Sequence, residues 1–138
     1  MRTITEIIIH CSATPEGKPF TVQQIDAWHR KRGFNGIGYH YVIYLDGTIV
    51  SGRPEAQIGA HCLNHNAHSI GICYIGGLTA DCKKSKDTRT PAQRAALIRL
   101  VANLRCKYPR ATVHGHCEYA NKSCPCFDVQ KEKDLCGK

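Results

Sequence analysis

His10 closes a run of β-branched residues, and His116 and Cys124 share one loop near the other end of the chain. A strand-end imidazole joined by a loop imidazole and a loop thiol is a reasonable set of three protein ligands for zinc. Catalytic zinc keeps three protein ligands and leaves a fourth position for water, whereas a structural site closes it with a fourth side chain. The same stretch also offers His114, Cys117 and Cys126, so spacing alone allows a closed site as readily as an open one. It equally allows no metal, because the 138 residues include nine Cys and eight His and such pairs arise by chance. Cys124-Pro125-Cys126 lacks the two-residue spacer of the common zinc cysteine pair, which weakens the closed site.

Positioning these residues requires ordered elements, and the sequence predicts them. Glu6–His10 reads as a central strand, followed by a polar loop from Cys11 to Phe20. Thr21 with Gln24 three residues on is a capping box, and it predicts a helix from about Val22 to Arg32 that stops at Gly33. Tyr39–Leu45 and Thr48–Ser51 flank Asp46-Gly47, a hairpin signal. Ser69–Ile75 reads as a buried strand ended by Gly76-Gly77, with a polar loop from Leu78 to Arg89. Thr90, Pro91 and Gln93 mark a second helix start, and Leu97, Leu100, Val101, Leu104 and Tyr108 follow helical spacing. Pro109 ends that helix. Ala111–His114 is a short strand and Gly115–Asp128 a loop. Strands alternating with two helices predict an α/β fold: a single domain over residues 1–138, with a mixed central β-sheet flanked by helices.

Apolar content of 42% and charged content of 22% are those of a globular chain, which excludes disordered and fibrous classes. No apolar run reaches the roughly 20 residues of a membrane span. The first six residues carry neither the apolar core nor the cleavage site of a signal peptide. The chain is therefore expected to be cytoplasmic as synthesised, or secreted if a leader has been removed. A net charge of +8 suggests an anionic partner, with nucleic acid and the anionic bacterial wall as candidates, or solubility alone. The Lys83-Lys84-Ser85-Lys86 cluster lacks aromatic interleaving, so no nucleic-acid partner is expected. Nine cysteines cannot all pair within one chain. They are either reduced thiols or, in an oxidising compartment, one ligand and eight that can pair.

His10-Cys11-Ser12-Ala13-Thr14 resembles a segment of the zinc amidases of the N-acetylmuramoyl-L-alanine amidase type 2 family, a superfamily that also holds the peptidoglycan-recognition proteins. The resemblance continues in order through Gly38-Tyr39-His40, Asp46-Gly47-Thr48, Ser69-Ile70-Gly71-Ile72 with Gly76-Gly77, Thr90-Pro91-Ala92-Gln93, His116, and Lys122-Ser123-Cys124-Pro125 before Phe127-Asp128. It is similar above all to the small phage lysozymes of the amidase type. It implies one zinc ion per chain held by His10, His116 and Cys124, with His114 outside the site. It implies catalytic roles for Tyr39 and Lys122, and places His61 beside the substrate cleft. The implied reaction is hydrolysis of the amide between N-acetylmuramic acid and L-alanine in peptidoglycan by a monomer. Zinc would activate a water for attack, zinc and Lys122 would stabilise the oxyanion, and Tyr39 would hydrogen-bond the water or the oxyanion, or move a proton. The rival is a binding module of the same fold that holds muropeptides without chemistry. His29, His65 and His68 are expected at the surface or in packing. His40 is expected on the face opposite Tyr39 by strand alternation. No carboxylate stands out as general base.

Overall fold

The computed structural model describes residues 2–137. Seven strands and three α-helices follow in the order β1 (Glu6–Cys11), β2 (Thr14–Pro15), α1 (Val22–Lys31), β3 (Tyr41–Ile43), β4 (Ile49–Ser51), β5 (Ser69–Tyr74), β6 (Gly77–Leu78), α2 (Pro91–Lys107), β7 (Thr112–Gly115) and α3 (Lys133–Cys136). Five strands form one sheet in the order β4-β3-β5-β1-β7. β1 runs parallel to both β5 and β7, β3 runs parallel to β5, and β4 returns antiparallel to β3. The sheet is mixed and flanked by helices, as expected.

β1 lies between two parallel neighbours, and Ile7, Ile8 and Ile9 are fully buried. Burial on both faces is why a central parallel strand carries an unbroken apolar run rather than an alternating one. Ile7, Ile9, Ile70, Ile72 and Tyr74 pack with Leu97, Leu100, Val101 and Leu104 of α2 on one face. Ile25 of α1 packs with Val42 and Ile75 on the other.

Both capping boxes form. Thr21 accepts from the Gln24 amide and Gln24 accepts from the Thr21 amide, and Thr90 and Gln93 do the same. Gln93 is fully buried, and its Nε2 also donates to the carbonyls of Ile43 (3.3 Å) and Ile75 (3.0 Å). One side chain thus starts α2 and bolts it to β3 and to the end of β5. α1 ends one residue earlier than expected, at Lys31, with Arg32 as its cap and Gly33 at φ +95°.

The differences are local. β2 and β6, which pair with each other, lie in stretches expected to be loops. β1 runs on to Cys11. β3 begins only at Tyr41, so Tyr39 and His40 precede the strand. The chain there approaches Ala60 so closely that a Cβ on Gly38 would lie 2.1 Å from the Ala60 carbonyl oxygen. α3 was not expected, and Leu135 from it enters the α2-side core.

Candidate metal centre and cleft

Parallel register builds the centre. Ile9 pairs with Gly115, so the next residues on each strand, His10 and His116, leave the same end of the sheet side by side. Their rings lie 4.5 Å apart. Ligand sites of open α/β sheets gather at these carboxyl ends. Cys124 arrives on the following loop, which is tied down at two points. The Cys117 amide donates to the Cys124 carbonyl (2.7 Å), and the buried Tyr74 hydroxyl donates to the Pro125 carbonyl (2.6 Å). The ligand atoms of His10, His116 and Cys124 all lie within 4.8 Å of one another.

This donor set suits zinc. Tetrahedral zinc with bonds of roughly 2.0–2.3 Å needs donors roughly 3.5 Å apart, which small side-chain adjustments supply here. Imidazoles bind metal in the neutral form. Burial, followed by the neighbouring His61, His116 and Lys122, holds His10 well below the ordinary histidine range. Burial and then Lys122 lower His116. The Cys11 amide donates to Cys124 Sγ at 3.1 Å, which holds the thiol in place.

His61 reaches the centre from its own loop. Its Nδ1 lies 2.8 Å from His10 Nε2, and its Nε2 lies 3.2 Å from the Ser69 hydroxyl. Gly71 makes room, since a Cβ there would sit 2.6 Å from the His61 ring. Asn66 accepts from the amides of His61 and Cys62, which fixes the loop.

A cleft of about 540 Å³ opens over this cluster. Tyr39, His61, His116 and Lys122 line it, with Arg32 and Tyr119 at its margins. The Tyr39 ring lies 5.1 Å from His10, and burial raises its phenol well above the ordinary tyrosine range. Among the described residues, no carboxylate lines the cleft. The structure therefore brings together His10, His116, Cys124, Tyr39, Lys122 and His61.

His114 lies apart, with Nδ1 on Glu118 at 2.8 Å, and Cys117 is exposed, so the closed alternative does not assemble. All nine cysteines are free thiols. His40 lies just before β3 rather than within it, and it is not among the residues that line the cleft. His40 is buried behind His61, its ring 5.8 Å away, and Nδ1 accepts from the Gly71 amide. His29 packs, accepting from the Gly38 amide at 2.8 Å, while also bordering the cleft. His65 and His68 meet Glu6, which spacing did not suggest.

Residues 1–127 match the family described as N-acetylmuramoyl-L-alanine amidase. The chain belongs to this amidase family. It is 40% identical over 125 residues to the endolysin of Escherichia phage T7, covering 91% of this chain and 82% of that protein. It is similar to the solved N-acetylmuramoyl-L-alanine amidase LysC of Clostridium intestinale, with a TM-score of 0.82, 32% identity, and 96% and 83% of the two chains covered. It is also similar to a Drosophila PGRP-LB mutant solved in complex with tracheal cytotoxin, with a TM-score of 0.77, 27% identity, and 91% and 76% covered. The amidase carries no helix among its described residues long and apolar enough to cross a membrane.

The buried histidines of the amidase give its metal-free form a pH signature. Burial brings His61 down to about 3, and His10 and His116 are also lowered. The unfolded chain takes up these protons near pH 6.5. Below that pH the unfolded state binds more protons than the fold, so stability falls as pH falls. Urea midpoints of the metal-free protein should drop between about pH 7 and 5.5, a window above the carboxylate range. A flat profile there would mean that the cluster accepts protons in the folded state.

Proposed function

We propose that this chain, as one catalytic domain, hydrolyses the amide between N-acetylmuramic acid and L-alanine in peptidoglycan. In this reading one catalytic zinc is held by His10, His116 and Cys124. The observation that carries it is the convergence of that donor set beside a cleft lined by His116, Tyr39 and Lys122. The rival binding module has no need of such a complete set. Zinc in this position supplies Lewis acidity, polarising the carbonyl and bringing the pKa of a water down to roughly 7.

The side chains divide the remaining work. His61 pairs with His10 Nε2, which fixes the ring against rotation and would leave Nδ1 of His10 free to hold the ion. Lys122 is exposed at the cleft and places positive charge where the lactyl carbonyl oxygen becomes an oxyanion. Tyr39 stays protonated, because burial disfavours its phenolate, and donates a hydrogen bond to that oxygen or to the attacking water. With no carboxylate lining the cleft among the described residues, proton transfer falls to Tyr39 and to solvent. Arg32 at the cleft adds positive charge, which suits the acidic groups of a muropeptide. The amidase acts on the cell wall, as the named activity of its endolysin relatives implies.

His61→Ala should weaken zinc binding about 10–100-fold, the usual loss when a ligand-orienting partner is removed. Competition with a fluorescent chelator reads this directly. An unchanged affinity would leave His61 with substrate contact alone. The activity itself is tested by incubating purified protein with a muropeptide, with zinc and after chelation, and identifying products by mass spectrometry. Free stem peptide beginning at L-alanine, lost on chelation and restored by zinc, is the expected result. Intact muropeptide in the presence of bound zinc would identify a binding module instead.

A further inference from the structure

A second cluster of ligating side chains lies at the opposite end of β1 from His10. Glu6 opens the strand, and its Oε1 receives two imidazoles, His65 Nδ1 at 2.9 Å and His68 Nε2 at 2.8 Å. The three ligand atoms lie within 4.8 Å of one another. Local geometry explains the convergence. His65 caps a 3-10 turn over Asn66–His68, and side chains three residues apart eclipse in such a turn. Both rings therefore hang on one side, over the start of β1. The second carboxylate oxygen accepts from the Tyr119 hydroxyl, and Tyr119 stacks on His65 with centroids 3.9 Å apart. The carboxylate is thus oriented from behind while its other oxygen faces two ring nitrogens.

We propose that Glu6, His65 and His68 form a second zinc site, separate from the catalytic one. Two imidazoles and a carboxylate are a known zinc donor set, and bonds of about 2.0–2.2 Å are reached from this cluster by side-chain adjustment. Side-chain exposures of 13% for Glu6, 26% for His65 and 41% for His68 leave room for water to complete the shell. Glu6 and His10 lie on one face of β1 four residues apart, so the two centres are separated by roughly 13 Å at about 3.3 Å per residue.

The second ion has a structural consequence. One loop carries His61 at the catalytic centre and His65 and His68 at this one. Tyr119 lines the cleft and holds Glu6. Zinc here fastens both cleft walls to the first residue of the central strand. The site depends on its own three side chains, and it stands whether or not the catalytic reading does.

The test is zinc stoichiometry. Protein stripped with chelator is reloaded with zinc, freed of excess by gel filtration and measured by elemental analysis. Two ions per chain are expected for the parent. The His65→Ala/His68→Ala double variant should hold one and cleave muropeptide within about twofold of the parent rate. Glu6→Gln keeps the shape of the acceptor and removes its charge, and it should also hold one, which covers the case of a double variant that does not fold. Equal zinc content in the parent and in both variants overturns the proposal and leaves the cluster as a hydrogen-bonded pair of histidines on a carboxylate.

Discussion

Cys124→Ala should abolish the catalytic zinc and reduce muropeptide hydrolysis by about 1000-fold or more, because Lewis-acid stabilisation worth several kcal/mol is lost with the ion. The thiol accepts from the Cys11 amide at the last residue of β1 and packs at the edge of the α2-side core, and it stands in for no backbone ladder partner within a strand or helix. Its removal should therefore leave the secondary structure intact. Circular dichroism separates loss of metal from loss of fold, and zinc analysis should show one ion fewer per chain than the parent. Activity within tenfold of the parent in a folded Cys124→Ala protein would remove Cys124 from the ligand set. The neighbouring candidates are poor substitutes. Cys126 Sγ is turned toward Cys11 Sγ (3.8 Å) and the Gly77 carbonyl, and Cys117 is exposed.

Lys122→Ala separates metal binding from catalysis. Lys122 belongs to no hydrogen-bonded side-chain pair among the described residues, and it is exposed, so its loss should cost little stability. Its charge nonetheless acts at the centre, since it is among the causes that lower His10 and His116. Removing one stabiliser of a developing oxyanion costs about 100–1000-fold in rate. Zinc content should match the parent, kcat should fall by that factor, and KM should change little because the interaction is made in the transition state. Retained kcat would exclude Lys122 from the mechanism. A proportional loss of zinc would make it a support for the ligands instead.

The local elements were legible because their signals are local. Thr21 with Gln24 and Thr90 with Gln93 announce helix starts through hydrogen bonds closed within three residues. Asp46-Gly47 announces a turn through the positive φ at Gly47. Ile7-Ile8-Ile9 announces a strand buried on both faces. β2, β6 and α3 were not legible, because two-residue bridges and a four-residue helix are too short to show a period. Tyr39 and His40 were assigned to a strand that starts at Tyr41. Just before the strand the chain approaches Ala60 closely at Gly38, a contact without a sequence pattern.

The site divides the same way. The sequence by itself supplied the donor types, and the ordered resemblance supplied their family. Spacing alone left open, closed and metal-free readings standing together. Only the tertiary structure brings one donor set together, through the parallel register Ile9↔Gly115, which sets His10 against His116 and leaves His114 facing Glu118. The placement of His61 on His10 and of Glu6 under His65 and His68 was likewise decided in three dimensions. The hydrogen bonds involved span 51, 59 and 62 residues of chain. A partner that distant is determined by sheet order and loop path, quantities that arise from the packing of the whole chain and have no representation in any short stretch of it.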